Sequence, residues 1–88
     1  MRLEGKVALI TGAAHGVNGE VMGFGGSAAW LFVKEGAKVV LGDIAVEEGE
    51  KTAAQIRADG GGAVFVKLDV TSEEDWRNAI DVVVSTFG

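Results

Sequence analysis

The stretch that decides the fold is residues 6–27, KVALITGAAHGVNGEVMGFGGS, in which a short apolar run passes into a loop dense in glycine. The run from Lys6 to Thr11 is rich in branched residues and predicts a buried β-strand. Glycine lets a backbone adopt positive φ angles and approach a pyrophosphate closely, and the start of the next helix offers free N–H groups to an anion. The loop therefore predicts a phosphate site. Five of the chain's glycines belong to the phosphate-type loop: Gly12, Gly16, Gly19, Gly23 and Gly25.

The same alternation of strand and helix continues along the chain. Apolar runs predict further strands at residues 38–42 and 63–68, and periods near 3.6 predict helices at 27–35, 46–58 and from about 71 onward. In the first helix, Ala28, Leu31 and Phe32 are predicted to share the packed face. In the last, Thr71 and Glu74 have the spacing of a capping box. The order predicts an α/β fold of parallel βαβ units with right-handed crossovers.

Composition excludes several classes of protein. The chain has 88 residues, which allows a single domain over 1–88 with a small core. A net charge of −5 argues against a nucleic acid or an anionic membrane as partner, and the lack of cysteine excludes a disulfide scaffold. The acidic runs at 47–50 and 73–75 lie at helix starts, where they complement the helix dipole, so no metal site is predicted. The N-terminus leads directly into a strand, and no apolar run could span a bilayer, which predicts a cytoplasmic protein.

An acidic residue closes the second predicted strand. Asp43 lies 18 residues after Gly25, the spacing expected of a carboxylate that binds the ribose of an adenine dinucleotide. A flexible surface loop followed by a solvated aspartate is the alternative reading of the same residues.

Three stretches resemble the short-chain dehydrogenase/reductase family, in the family's order: GKVALITGAAHGV at 5–17, EGAKVVLGDI at 35–44 and LDVT at 68–71. The resemblance implies an incomplete Rossmann-type, doubly wound parallel sheet of three βα units, strand order 3-2-1, and a nicotinamide cofactor used to interconvert alcohols and carbonyls. Gly12 and Gly16 resemble the first two fingerprint glycines, and Asp43 the ribose-binding acid. The residues assigned to the cofactor are Gly12, His15, Gly16, Val17, Gly25, Asp43, Ile44, Asp69 and Val70.

Two departures from the family pattern stand out. Taking Gly25 as the third fingerprint glycine makes residues 18–24 a seven-residue insertion, predicted to be an extended loop that either folds over the cofactor or is an inert excursion. The second departure is catalytic. The family uses a Ser, a Tyr and a Lys in a Tyr-x-x-x-Lys pattern, and this sequence has no tyrosine. We therefore assign no catalytic residue, and His15 receives a role in the phosphate loop.

The resemblance leaves two functions open. One is the N-terminal NAD-binding portion of an oxidoreductase, cut before the fourth strand and not catalytic by itself. The other is a stand-alone nucleotide-binding or interaction module. NAD is favoured over NADP because a carboxylate at Asp43 repels a 2′-phosphate and no Lys or Arg lies in the glycine loop. Ending after the third unit leaves the first strand at a sheet edge, which predicts weak stability and association, for example as a homo-oligomer.

Overall fold

Three parallel strands alternate with three helices in the computed structural model, which describes residues 4–12 and 23–87. The strands are β1 (Val7–Thr11), β2 (Lys38–Asp43) and β3 (Ala63–Lys67), and the helices are α1 (Phe24–Lys34), α2 (Val46–Ala58) and α3 (Glu73–Phe87). The sheet runs β1-β2-β3 with both pairs parallel, which is the predicted order 3-2-1 read from the other edge. The predicted α/β fold, a partial Rossmann-type sheet, is confirmed.

The core is centred on β2, whose residues alternate between two apolar layers. Val39 and Leu41 are fully buried in a layer formed with α1 and α2, which contribute Ala29, Ala53 and Ile56. On the opposite face Val40 is fully buried in a smaller layer, where α3 contributes Ala79. All three strands contribute to both layers, and the two outer strands are less buried than β2.

Helix α1 begins three residues earlier than predicted, and its packed face matches the predicted one only in part: Phe32 packs against the core, and Leu31 does not. The fully buried residue of the helix is Ala29, whereas Leu31, predicted to be packed, is 57% exposed. Ala29 lies one helical turn after Gly25, so small residues form the closest part of this contact, while Trp30, Phe32 and Val33 are partly buried against the same layer. The prediction for Leu31 was wrong because helical spacing alone does not show which side of α1 the close contact between Gly25 and Gly12 turns toward the sheet.

The cap of α3 also differs from the predicted one. The helix begins at Glu73, and Ser72 is its N-cap, because the Asp75 N–H donates to Ser72 Oγ at 3.1 Å. The capping-box prediction for Thr71 was therefore wrong by one residue. Valines 82–84, which would suit a strand in isolation, lie within the helix as predicted. Among the described helices, none has the length and apolarity that crossing a membrane requires.

Candidate cofactor site at the carboxyl edge of the sheet

The carboxyl ends of the three strands bring those predicted site residues that the structure describes to one edge. Thr11 is paired with Gly42, which places Gly12 beside the end of β2, and Asp43 is paired with Lys67. The Leu68 N–H then donates to the Asp43 carbonyl at 3.0 Å, so the chain leaves β3 alongside Asp43. Ligands of open parallel sheets bind at this edge, and the topology thus brings Gly12, Asp43 and Asp69 to the expected position.

Gly12 and Gly25 hold the first helix tightly against the end of the first strand. Gly12 has a φ of +64°, a left-handed conformation that favours glycine. A Cβ added to Gly25 would lie 2.5 Å from the Gly12 carbonyl oxygen and 2.9 Å from that of Thr11, closer than a side chain can approach. Both glycines are therefore required by the backbone path, one for the turn and one for the contact.

The start of α1 is suited to an anion. The first intrahelical bond is donated by the Ser27 N–H to the Gly23 carbonyl, so the N–H groups just before Ser27 have no partner within the helix. Gly23 at the N-cap has no side chain to accept from them, and the first turn contains no acidic residue. The positive end of the helix dipole therefore meets no negative side chain from the helix itself.

Asp43 is held at the end of β2 by the segment that follows it. Its Oδ1 accepts a hydrogen bond from the Ala45 N–H at 3.1 Å, and the side chain is half-buried. This local turn connects the strand to α2 and keeps the carboxylate at the sheet edge. Ile44, the next residue, is 66% exposed and thus offers an apolar surface there.

Asp69 organises the loop after β3 through its own carboxylate. Oδ1 accepts from the Thr71 hydroxyl at 2.6 Å and from the Thr71 N–H at 2.9 Å. The bond from the Thr71 hydroxyl is the main cause that holds the pKa of Asp69 below its ordinary value, and the bond from the Thr71 N–H is the second. The positive charge of Lys67 makes a smaller contribution in the same direction. Asp69 therefore remains an ionised acceptor to a more acidic pH than an ordinary aspartate. Val70, between the two residues, has 57% of its surface exposed.

Three of the predicted site residues, His15, Gly16 and Val17, lie outside the described residues, as does the part of the predicted insertion at 18–22. The other six, Gly12, Gly25, Asp43, Ile44, Asp69 and Val70, lie at or beside the carboxyl ends of the strands. Within the described ranges, no three acidic or histidine side chains come close enough to hold a metal ion.

The sequence prediction missed two residues of α3 that contact the site loop. Asp75 Oδ2 accepts from the Asp69 N–H at 2.9 Å, and the Trp76 indole N–H donates to the Val70 carbonyl at 2.9 Å. Both residues lie six positions after their partners. Helical periodicity carries no signal for such a pair, since it depends on the path of the loop between them.

Comparison with known proteins identifies the family. The family described as short chain dehydrogenase matches residues 6–88. The 2,5-dichloro-2,5-cyclohexadiene-1,4-diol dehydrogenase LinX of Sphingobium indicum is 49% identical over 99% of this chain and 32% of its own length. A 3-alpha-(or 20-beta)-hydroxysteroid dehydrogenase of Mycobacterium tuberculosis is 47% identical over 99% of this chain and 30% of its own length.

A plant protein gives a similar match. The mitochondrial borneol dehydrogenase of Lavandula x intermedia is 49% identical over 99% of this chain and 29% of its own length. The chain thus spans about a third of the length of the curated relatives it matches. Because the family match covers nearly all of these residues, the chain belongs to the short-chain dehydrogenase family.

Proposed function

We propose that this chain binds a nicotinamide adenine dinucleotide at the carboxyl edge of its sheet, with NAD favoured over NADP. The observation that carries the proposal is the contact between Gly25 and Gly12, which presses the start of α1 against the end of β1 beside Asp43. The residues fit the cofactor by their chemistry: N–H groups for the pyrophosphate, a carboxylate for the ribose and apolar surface for the adenine. Dehydrogenases of this family use NAD or NADP, which supports the assignment.

Each part of the cofactor has a partner among the described residues. The pyrophosphate would lie at Gly12 and the first turn of α1, and the adenosine ribose at Asp43. The adenine would lie near Asp69, with Ile44 and Val70 as its apolar contacts. We further assign His15, Gly16 and Val17 to the phosphate loop on the strength of their place in the sequence. When bound, the nicotinamide ring supplies or accepts a hydride.

We infer that these 88 residues do not transfer a hydride by themselves. The sequence has no tyrosine to exchange a proton with a substrate oxygen. Its three serines lie on or beside helices: Ser27 in α1, Ser72 at the cap of α3 and Ser85 within α3. In a protein of the relatives' length, the same portion would hold the cofactor for an oxidoreductase acting on alcohols and carbonyls.

The proposal predicts that the chain binds NADH more tightly than NADPH, by about tenfold or more, because like charges face each other when a 2′-phosphate approaches Asp43. Titration of the chain with each cofactor, followed by the fluorescence of the reduced nicotinamide, measures both dissociation constants. Nicotinamide mononucleotide, which lacks the adenosine, serves as the control and is expected to bind far more weakly. Equal affinity for the two cofactors would contradict the assignment of Asp43, and no binding of either would contradict the proposed function.

We also propose that the chain associates through the outer edge of β1. The Lys38 N–H donates to the Lys6 carbonyl on the β2 side at 3.0 Å, and successive residues of a strand alternate in direction. The backbone groups of Val7 and Leu9 therefore face away from β2, and within the described chain no strand pairs with that edge. An unpaired strand edge is a template for another chain, here a second copy.

This association predicts a concentration-dependent increase in sedimentation coefficient. Val7→Pro is expected to weaken self-association by about tenfold, since proline removes an outward N–H at the first position of the strand, where it is tolerated. Val84→Ala, at an exposed valine on α3, serves as the control for general apolar association and is expected to leave it unchanged. Edge pairing would be contradicted if the chain is a monomer at every concentration. It would also be contradicted if Val84→Ala weakens self-association and Val7→Pro does not.

A further inference from the structure

The loop between β3 and α3 makes several hydrogen bonds to the residues at the start of the helix that follows it. The Asp69 N–H donates to Asp75 Oδ2, the Asp69 carbonyl accepts from the Ser72 N–H at 2.9 Å, and the Val70 carbonyl accepts from the Trp76 indole. Ser72 Oγ in turn accepts from the Asp75 N–H, which closes a ring of bonds through Asp69, Ser72 and Asp75. We propose that Asp75 and Trp76 are positioning residues that hold Asp69 and Val70 in the conformation that binds the adenine end of the cofactor.

Trp76 lies outside both apolar layers of the core, so its role in the loop depends on the hydrogen bond of its indole N–H. The residue is 37% exposed, and the next apolar residues on the same stripe of α3, Ile80 and Val84, are more exposed still. The fully buried residue of the helix is Ala79, which packs under the sheet with Val40. Trp76 belongs to neither apolar layer of the core, yet its indole N–H makes a bond to the loop at 2.9 Å.

Asp75 bonds to the Asp69 end of the Asp69–Val70 pair, and Trp76 to the Val70 end. Its carboxylate bonds the N–H of Asp69, and its own N–H is fixed by Ser72 Oγ. Bonds to an ionised acceptor are stronger than those between neutral groups. Together, Asp75 and Trp76 therefore hold the first N–H and the last carbonyl of the Asp69–Val70 pair.

The loop needs such support because its residues are exposed. Asp69, Val70 and Thr71 are all accessible to water, which competes for their backbone groups, and few apolar contacts limit the conformations of these residues. Without the two tethers the binding conformation would be one of several, and the apparent affinity of a ligand falls with the populated fraction of the competent state. The inference rests on the proposed function, since it concerns the same adenine site.

The test compares Trp76→Phe and Asp75→Ala with the unchanged chain, using titration with NADH and with ADP-ribose. Each variant is expected to weaken both ligands by about 3- to 10-fold, the equivalent of one hydrogen bond. Trp30→Phe makes the same chemical change on α1, away from the loop, and is expected to bind as the unchanged chain does. Asp75→Asn keeps an acceptor oxygen and is expected to restore most of the affinity that Asp75→Ala loses.

Amide hydrogen exchange in the ligand-free chain separates positioning from a general loss of stability. In both variants the bonded N–H groups of Asp69, Thr71 and Ser72 are expected to exchange faster, while that of Val39 in β2, which donates to the Gly62 carbonyl, keeps its protection. If the unchanged chain binds both ligands and the two variants show the same affinity and the same exchange rates, the positioning role is overturned and the proposed function is not. If the Val39 N–H loses as much protection as the N–H groups of the loop, the two residues have a general structural role and the positioning role is overturned. Failure of the unchanged chain to bind either ligand would overturn the proposed function and this inference together.

Discussion

Gly25→Ala is expected to reduce NADH binding below detection, although it adds only one methyl group. The new Cβ would lie within 3 Å of three backbone atoms, the oxygen and carbon of Gly12 and the oxygen of Thr11. Backbone atoms cannot rotate aside as a side chain does, so α1 must move away from β1. That movement carries the N–H groups of the first turn away from the proposed pyrophosphate position, and a displacement of this size is enough to disrupt a preorganised site.

The substitution is also expected to lower the free energy of unfolding by about 1–3 kcal/mol, as overpacking of a filled contact does. This result is opposite in sign to the usual effect, since alanine is favoured over glycine within a helix by about 1 kcal/mol. Urea denaturation and NADH titration of the same preparations measure the two effects. Gly62→Ala is the matched control, because its Cβ would meet the flexible Lys38 side chain at 3.0 Å and not a carbonyl. If Gly25→Ala binds NADH like the control, the close contact plays no part in binding.

Asp43→Arg is expected to reverse the preference of the chain from NADH to NADPH. The carboxylate favours a ribose hydroxyl and repels a phosphate, whereas a guanidinium binds a phosphate with paired hydrogen bonds. We expect the NADH dissociation constant to rise by about tenfold and that of NADPH to fall by a similar factor, which corresponds to about 1.4 kcal/mol in each case. Competition between the two cofactors for one preparation of the variant measures the reversal directly.

Two further variants separate the charge of Asp43 from its structural bond. Asp43→Asn removes the charge and keeps an oxygen that can accept from the Ala45 N–H, so it is expected to lose selectivity with little loss of stability. Asp59→Arg makes the same change of charge beyond the C-terminal end of α2, at the opposite edge of the sheet, and is expected to leave selectivity unchanged. If Asp59→Arg shifts the selectivity as much as Asp43→Arg does, the net charge of the chain, and not the position of Asp43, controls the choice of cofactor.

Much of the fold follows from patterns that are local in the sequence. The two faces of β2 are set by alternation between Val39 and Val40, and α2 begins and ends at the predicted residues. The family resemblance assigned both Asp43 and Asp69 to one site, and because parallel strands end at a common edge, their places at the end of β2 and shortly after β3 put them at the same end of the sheet. The predictions for His15, Gly16 and Val17 stay predictions.

The features that the sequence analysis missed depend on how closely elements approach one another. Leu31 was misplaced because the contact of Gly25 with Gly12 helps to determine which side of α1 faces the sheet, and helical spacing does not reveal that contact. The bonds of Asp75 and Trp76 to the loop join residues whose separation matches no repeat of a helix or strand. Such contacts become visible only once the path of the loop is known.

The central burial of β2 has a consequence for the local stability of the proposed site. Asp43 ends the strand that both apolar layers cover, whereas Gly12 follows β1, which is only half-buried. Local opening costs least where few apolar contacts must be broken. The backbone amides of β2 that lead to Asp43 are therefore expected to exchange with solvent more slowly than those of β1 that lead to Gly12, so the proposed ribose carboxylate ends the most protected strand of the sheet.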